Sequence, residues 1–394
     1  MKRVNTILAI ILLMMAGCGG GRKSGSESDT FITVDVTASY PKKELILQDF
    51  MDVEYIALET GGEFYCQGIV RAIGNDFIIV INSVRDGDIF IFDRNGKGLR
   101  KINRKGQGGE EYTNINEIIL DEDNNEMFVN DVNRILVYDL FGKFKRSIRY
   151  KEGSRYRNIY NFDKENLICN DSSFDDEEAT DKPQFVIISK QDGSIIRDIH
   201  IPFEQKISST VQRNHNGFIV TAYISNVQII PYHDSWILTI HSSDTVFRYL
   251  PDHSMIPFMA RSPSIQSMNP EILIFPDILT ERYFFLRTEK MEPEIKGTTI
   301  YDTRAIIPTT YLTYDRHEKA IFEYTVYNDD FSSKRSLGMS KKTFNNEIIF
   351  QHKYEADDLF EALEKGELKG KLKEVAAKLK EEDNPVIMLV KHKK

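Results

Sequence analysis

Three stretches of this chain bring together residue types able to do chemistry, and a cysteine near its start offers a fourth. Gly106, Gly108 and Gly109 form a glycine-rich run of the kind whose backbone N–H groups can cradle phosphate. A dinucleotide loop needs a further glycine at its end, between a strand and a helix. Glu111 stands there, with strand-like segments on both sides, so the phosphate reading is rejected. Asp121-Glu122-Asp123-Asn124-Asn125 opens like a calcium loop, with oxygen donors at alternate positions. Glu126 then replaces the glycine required for the sharp turn, and Val132 stands where the bidentate glutamate belongs. This run is read as a hairpin turn, and Asp175-Asp176-Glu177-Glu178 as a solvated acidic loop. No cofactor is expected from a motif. Calcium stays open, because carboxylates from distant segments can converge without leaving one.

The eight histidines show neither H-E-x-x-H nor a paired zinc spacing. Ser, His and Asp cluster only in Tyr232-His233-Asp234-Ser235-Trp236 and His241-Ser242-Ser243-Asp244. No G-x-S-x-G elbow marks a nucleophile, and Trp236 heads the strand-like run Ile237 to Ile240, where core packing accounts for it. No catalytic or metal-binding residue is assigned. His233, Trp236 and His241 are the candidates for a binding surface.

Cys18 follows Met15-Ala16-Gly17, and ahead of it lie a basic pair, Lys2 and Arg3, and the apolar run Ile7 to Met15. That run is far shorter than the ~20 residues of a spanning helix. Small residues directly before a cysteine are the pattern that lipoprotein signal peptidase reads. The expectation is a removable signal peptide over 1–17, lipid on Cys18, and a polar, glycine-rich tether over 18–30. Gly19 in place of Asp favours the outer membrane by similarity to Gram-negative sorting rules. The side of that membrane stays open.

The chain of 394 residues carries a net charge of −9. An acidic surface disfavours nucleic acid and anionic lipid as partners. Cys66 and Cys169 remain once Cys18 is lipidated, and their apolar surroundings favour free thiols over a disulfide.

The elements that would position such residues emerge from an internal repeat. Ile89-Phe90-Ile91-Phe92-Asp93-Arg94-Asn95-Gly96-Lys97 returns as Ile135-Leu136-Val137-Tyr138-Asp139-Leu140-Phe141-Gly142-Lys143, 46 positions on. Each is a strand, a tight turn and the start of a second strand. Weaker copies turn at Asp192-Gly193, at Pro251-Asp252-His253 and at His317-Glu318-Lys319. In the second unit two earlier strands are legible, Ile115 to Leu120 and Met127 to Val129. Four antiparallel strands at a period near ~45 residues define a β-propeller blade. Five complete outer hairpins leave a sixth blade to be closed between the chain ends. Pro385 to Val390 would pair there with Leu45 to Leu47 or with Val53 to Leu58. The expected fold is all-β: a six-bladed β-propeller over 31–394, with four-stranded antiparallel blades. A helical insertion over about 357–383 is read from Leu368, Leu372, Val375, Ala376 and Leu379, whose apolar stripe should face the propeller itself.

Phe128 to Asp139, with Gly142, resembles an NHL-type propeller repeat, and Gly106 to Tyr112 resembles the link between blades of such proteins, although Gly109-Glu110 stands where Pro-Gly is usual. From Tyr40 to the end the chain is similar to the six-bladed β-propeller lipoproteins (NHL-like or TolB-like) of the Bacteroidetes. The resemblance implies a fold and a place in the cell envelope, and it carries no activity. The favoured reading is a non-enzymatic binding or scaffold lipoprotein, held to the membrane by its lipid, that offers a propeller face to a peptide, glycan or protein partner. The rival is a propeller hydrolase or lyase, which could depend on calcium. Fold alone does not choose between them.

Overall fold

The near-continuous apolar runs of the repeat become the middle strands of radial sheets, because only a strand covered on both faces can bury so many successive apolar side chains. The computed structural model describes residues 31–176, 182–224, 229–297, 304–339 and 342–393. Blade one comprises Ile69–Ile73, Phe77–Ile81, Asp88–Asp93 and Gly98–Asn103, counted outward from the axis. Blade two is Glu117–Asp121, Glu126–Asn130, Arg134–Asp139 and Phe144–Arg149, and blade three is Tyr156–Asn161, Asn166–Asp171, Phe185–Ser189 and Ile195–Ile199. Blade four follows with Ile229–Tyr232, Ser235–Leu238, Thr245–Tyr249 and Met255–Ser262. Blade five has Ile272–Leu279, Tyr283–Lys290, Thr309–Asp315 and Ala320–Tyr327. Neighbours within each blade run antiparallel. The protein is an all-β, six-bladed β-propeller.

Burial falls from the middle of each blade outward. Glu126–Asn130 is buried along its whole length, whereas Phe144–Arg149, Gly98–Asn103 and Ile195–Ile199 each bury a single isoleucine: Ile148, Ile102 and Ile199. Two of these isoleucines meet the turn of the next blade. A Cβ on Gly142 would lie 2.8 Å from Ile102 Cγ2, and one on Gly193 would lie 2.4 Å from Ile148 Cγ2. Both glycines sit at positive φ, +82° and +76°. The recurring glycine therefore serves the turn and the contact between blades at once.

Blade six closes the ring. Val386–His392 pairs on one side with Ile348–Tyr354 and on the other with Met51–Ala57, from Met51 opposite His392 to Ala57 opposite Val386. The N-terminal partner is thus the Val53 to Leu58 segment. The Leu45 region goes elsewhere: Lys42–Ile46 lies parallel along the outer strand of blade five, and Ile32–Asp35 along that of blade four. These added strands cover two sheet edges. The sixth sheet has three described strands. In the place next to the axis runs the unpaired segment 342–346, which reaches three other blades. Asn345 Nδ2 donates to Ile73 O (3.1 Å), Tyr160 Oη donates to Thr343 O (3.0 Å), and Lys342 pairs with Glu117.

The longer spacing of the later repeats holds insertions: the hairpin Thr210–His215 with Phe218–Tyr223, the short hairpin Glu294–Lys296 with Arg304–Ile306, and the helices Ala356–Glu364 and Gly370–Ala376. Gly366, at φ +69°, ends the first helix, with its N–H on Leu363 O and that of Glu367 on Ala362 O. Leu359, Ala362, Leu372 and Ala376 pack with Phe331 and Val386 against Tyr55, so the stripe faces the propeller, as its periodicity requires. Both remaining cysteines are free thiols. Cys169 is buried in a strand, while Cys66 lies in the link before blade one, where burial pushes its thiol up to about 11. The expected signal peptide over 1–17, Cys18 and the expected tether over 18–30 lie outside the described residues. Among the described residues no helix is long and apolar enough to cross a membrane.

Candidate functional site

Strand direction divides the ends of the blades between two faces. Turns that join the first strand to the second, and the third to the fourth, lie on one face, here the turn face. The loops between second and third strands and the links between blades lie on the other, the loop face. Segment 342–346 crosses between them, and Arg71, Lys342 and Phe344 line a cavity on either side.

The turn-face cavity measures about 600 Å³ and takes its walls from the inner turns of blades one to four. Trp236 opens the second strand of blade four opposite Pro231, which turns its indole toward the inner strand of blade three. Its ring lies 5.6 Å from Tyr160 and 6.3 Å from Phe162, stacked on the latter at 25°. Phe162 in turn stacks on His253 at 5.8 Å and 12°. Lys342 Nζ sits 4.9 Å from the Tyr160 ring, completing an aromatic row with a cation at its inner end. Burial pushes the Tyr160 phenol well above its ordinary value, so it stays a neutral donor.

Most of the carboxylates in this mouth are engaged in holding turns together. Glu122 accepts the backbone N–H groups of Asn75, Asp76 and Phe77 at 2.6, 2.9 and 3.1 Å. Its approach depends on Gly74, where a Cβ would stand 2.3 Å from the carboxylate. Asp121 binds Lys190 at 2.6 Å, and Lys190 also donates to Asp163 O. Asp121 further accepts from Asn124, and Asn125 adopts φ +51°, so the calcium-like run is the hairpin turn its sequence indicated. The glycine-rich run is likewise structural: Glu111 accepts the Gly108 N–H at 2.9 Å, which puts a carboxylate of the chain where a phosphate would need the amide. Among the described residues no group of three or more His, Cys, Asp or Glu is arranged to hold a metal.

Of the three candidates, His233 and Trp236 line the turn-face cavity and His241 does not. His233 holds the turn of blade four at φ +51°, with its ring 4.3 Å from Tyr232 and Nε2 3.6 Å from Glu281. His241 follows the far end of the strand Ser235–Leu238, toward the loop face. It is buried, and its Nε2 donates to Ile207 O at 2.8 Å. Burial pushes its imidazole below the ordinary value, with nearby Asp175 opposing. The same burial raises the Asp175 carboxyl, with His241 opposing. Asp175 is thus half-buried, and only Asp176 in the described part of the acidic loop is exposed, paired with Arg155 at 2.6 Å. Sequence reasoning missed Arg71, Tyr160, Phe162 and Lys342. The available signal was the charged or aromatic residue interrupting the apolar first strand of a repeat: Arg71, Glu117 and Arg157 recur there.

The family model described as a domain of unknown function, DUF4934, matches residues 31–391, and the chain belongs to that family. No curated protein matches the sequence. Among solved structures it is similar to a putative exported protein of Bacteroides fragilis, at 16% identity and a TM-score of 0.57, over 93% of this chain and 100% of that one. A member of the DUF4221 family from Bacteroides vulgatus is similar at 9% identity and a TM-score of 0.43, over 71% of this chain and 90% of that one. The extracellular domain of a hybrid two-component system from B. thetaiotaomicron gives 14% identity and a TM-score of 0.37, over 68% of this chain and 29% of that one.

Proposed function

We propose that this protein is an envelope-anchored binding lipoprotein that presents the turn face of its propeller to a peptide, glycan or protein partner, and that it works by binding without turnover. The observation that carries this reading is the half-buried Trp236 in an aromatic row at the axial mouth, beside the Asp121 and Glu122 carboxylates, which are engaged in structural bonds. A general acid or base needs a carboxyl or imidazole free to exchange a proton with substrate. Glu122 and Asp121 are held by backbone N–H groups, Lys190 and Asn124 instead. Aromatic faces flanked by a few polar groups are what a recognition surface uses. The lipid on Cys18 and the glycine-rich tether suit a domain that must show one face near a membrane. The test is a screen of the purified protein against lactone, ester, phosphate and glycoside substrates, with and without calcium. No turnover is expected. Turnover abolished by a single His or carboxylate substitution in the axial mouth overturns the binder and establishes the hydrolase.

A further inference from the structure

The loop-face cavity, about 850 Å³, has a chemistry of its own. Five cationic side chains line it (Arg71, Arg85, Arg155, Arg157 and Lys342) against two carboxylates, Glu117 and Asp131. This excess of positive charge belongs to a chain whose net charge is −9. Both carboxylates are occupied. Glu117 pairs with Lys342 and accepts the Ile159 N–H at 3.0 Å. Asp131 accepts from Thr113 Oγ1 at 2.8 Å and from the Asn114 N–H at 3.0 Å, with Arg134 at 3.6 Å. Arg71, Arg85 and Arg157 form no ion pair among the described residues, and Arg71 Nε is buried without a hydrogen-bond partner.

Two irregularities in the backbone lie beside two of these groups, Arg71 and Arg157. Blade one pairs Val70 with Val80 and Ala72 with Ile79, which leaves Arg71 as the extra residue of a bulge. Blade three pairs Arg157 with Asn170 and Tyr160 with Ile168, and Asn158 inside that bulge takes φ +47°. A bulge breaks the alternation of a strand and re-aims a side chain. Here both breaks fall on innermost strands: Arg71 is the extra residue of the first, and Arg157, itself paired with Asn170, stands directly before the second. Arg71 is half-buried with its Nε unpartnered, which is costly without an anion, and the planar fork of a guanidinium matches an oxyanion; Arg85 and Arg157 reach the same cavity from its exposed rim.

We propose that the loop-face cavity is a binding site for a small molecule bearing two or more carboxylate, sulfate or phosphate groups, held by Arg71, Arg85 and Arg157. The site lies on the opposite face from Trp236, so the turn-face reading stands or falls separately. Calorimetry on the full-length protein tests it, with citrate, trigalacturonate, inorganic sulfate and inorganic phosphate as probes and neutral maltotriose as control. At least one oxyanion should saturate below about 10 mM, with affinity that falls as salt rises. The arm that binds identifies the source of the anion. Arg157→Gln and Arg85→Gln should each weaken it roughly tenfold, the worth of one charge-assisted contact. Arg85 is exposed in a loop, so R85Q should keep the wild-type melting temperature and decides the matter if an inner-strand variant fails to fold. The proposal is overturned if no oxyanion saturates below that concentration, if maltotriose binds as well, or if the R85Q/R157Q double variant binds undiminished.

Discussion

The Glu126 carboxylate is buried in blade two, where Arg146 holds its two oxygens at 2.7 and 2.6 Å and Lys145 approaches one of them at 2.5 Å. Burial would raise its pKa, but Arg146 and Lys145 outweigh that and hold it below the ordinary value. A lowered carboxyl contributes stability that is present above its unfolded pKa and lost as pH falls through the folded one. Glu126→Gln should therefore cost about 2 kcal/mol at pH 7, because it removes the buried charge that a half-buried Arg146 pairs with. The difference from wild type should shrink as pH falls below the unfolded glutamate value of 4.5, and chemical denaturation at pH 7 and pH 3.5 measures it. Glycine is excluded from this position for the same reason: the site needs a charge, and the turn beside it is already made by Asn125 at φ +51°.

The element on which the ring depends is the strand Val386–His392, which joins Ile348–Tyr354 to Met51–Ala57. Deleting Val386 to Lys394 would expose both neighbours as unpaired edges and open the core around Ile387 and Leu389. The truncated protein should aggregate or lose its cooperative unfolding transition; a soluble truncation that melts as the full chain does would count against closure. This closure was legible in the sequence because a repeat that yields five outer hairpins leaves one strand over at each end. The glycine turns were equally legible, since a tight hairpin needs positive φ there, whereas the touch of Ile102 on Gly142 and of Ile148 on Gly193 shows only in the structure. The parallel strands Ile32–Asp35 and Lys42–Ile46 were not, because pairing with residues more than two hundred positions away leaves no local pattern. Nor were the two bulges, because Arg71 and Asn158 interrupt strands in a way that only the paired register reveals. His233 and Trp236 were found from composition and do share a cavity, whereas His241 shared only their stretch of sequence and lies beyond the opposite end of the strand.

At the scale of the whole molecule, an acidic propeller has two axial mouths of unlike chemistry, divided by the segment 342–346: an aromatic one on the turn face and a guanidinium-lined one on the loop face. The proposed anchor sets how such a ring would be presented. Cys18→Ala should leave an uncleaved, unlipidated precursor, and metabolic labelling with a palmitate analogue checks it; equal label on variant and wild type would remove the anchor from the account. The central claim is that the turn face binds a ligand and leaves it unchanged. The chain has one tryptophan, Trp236, and it lines that mouth, so its fluorescence reports on the cavity without any label. The decisive measurement is Trp236 emission during titration with neutral oligosaccharides, cell-wall fragments and short peptides, paired with mass spectrometry of each ligand afterwards. The account predicts a saturable change in emission with at least one member of the panel, and that ligand recovered intact. Emission unmoved by ligands that calorimetry shows to bind, or a ligand recovered cleaved, would contradict it.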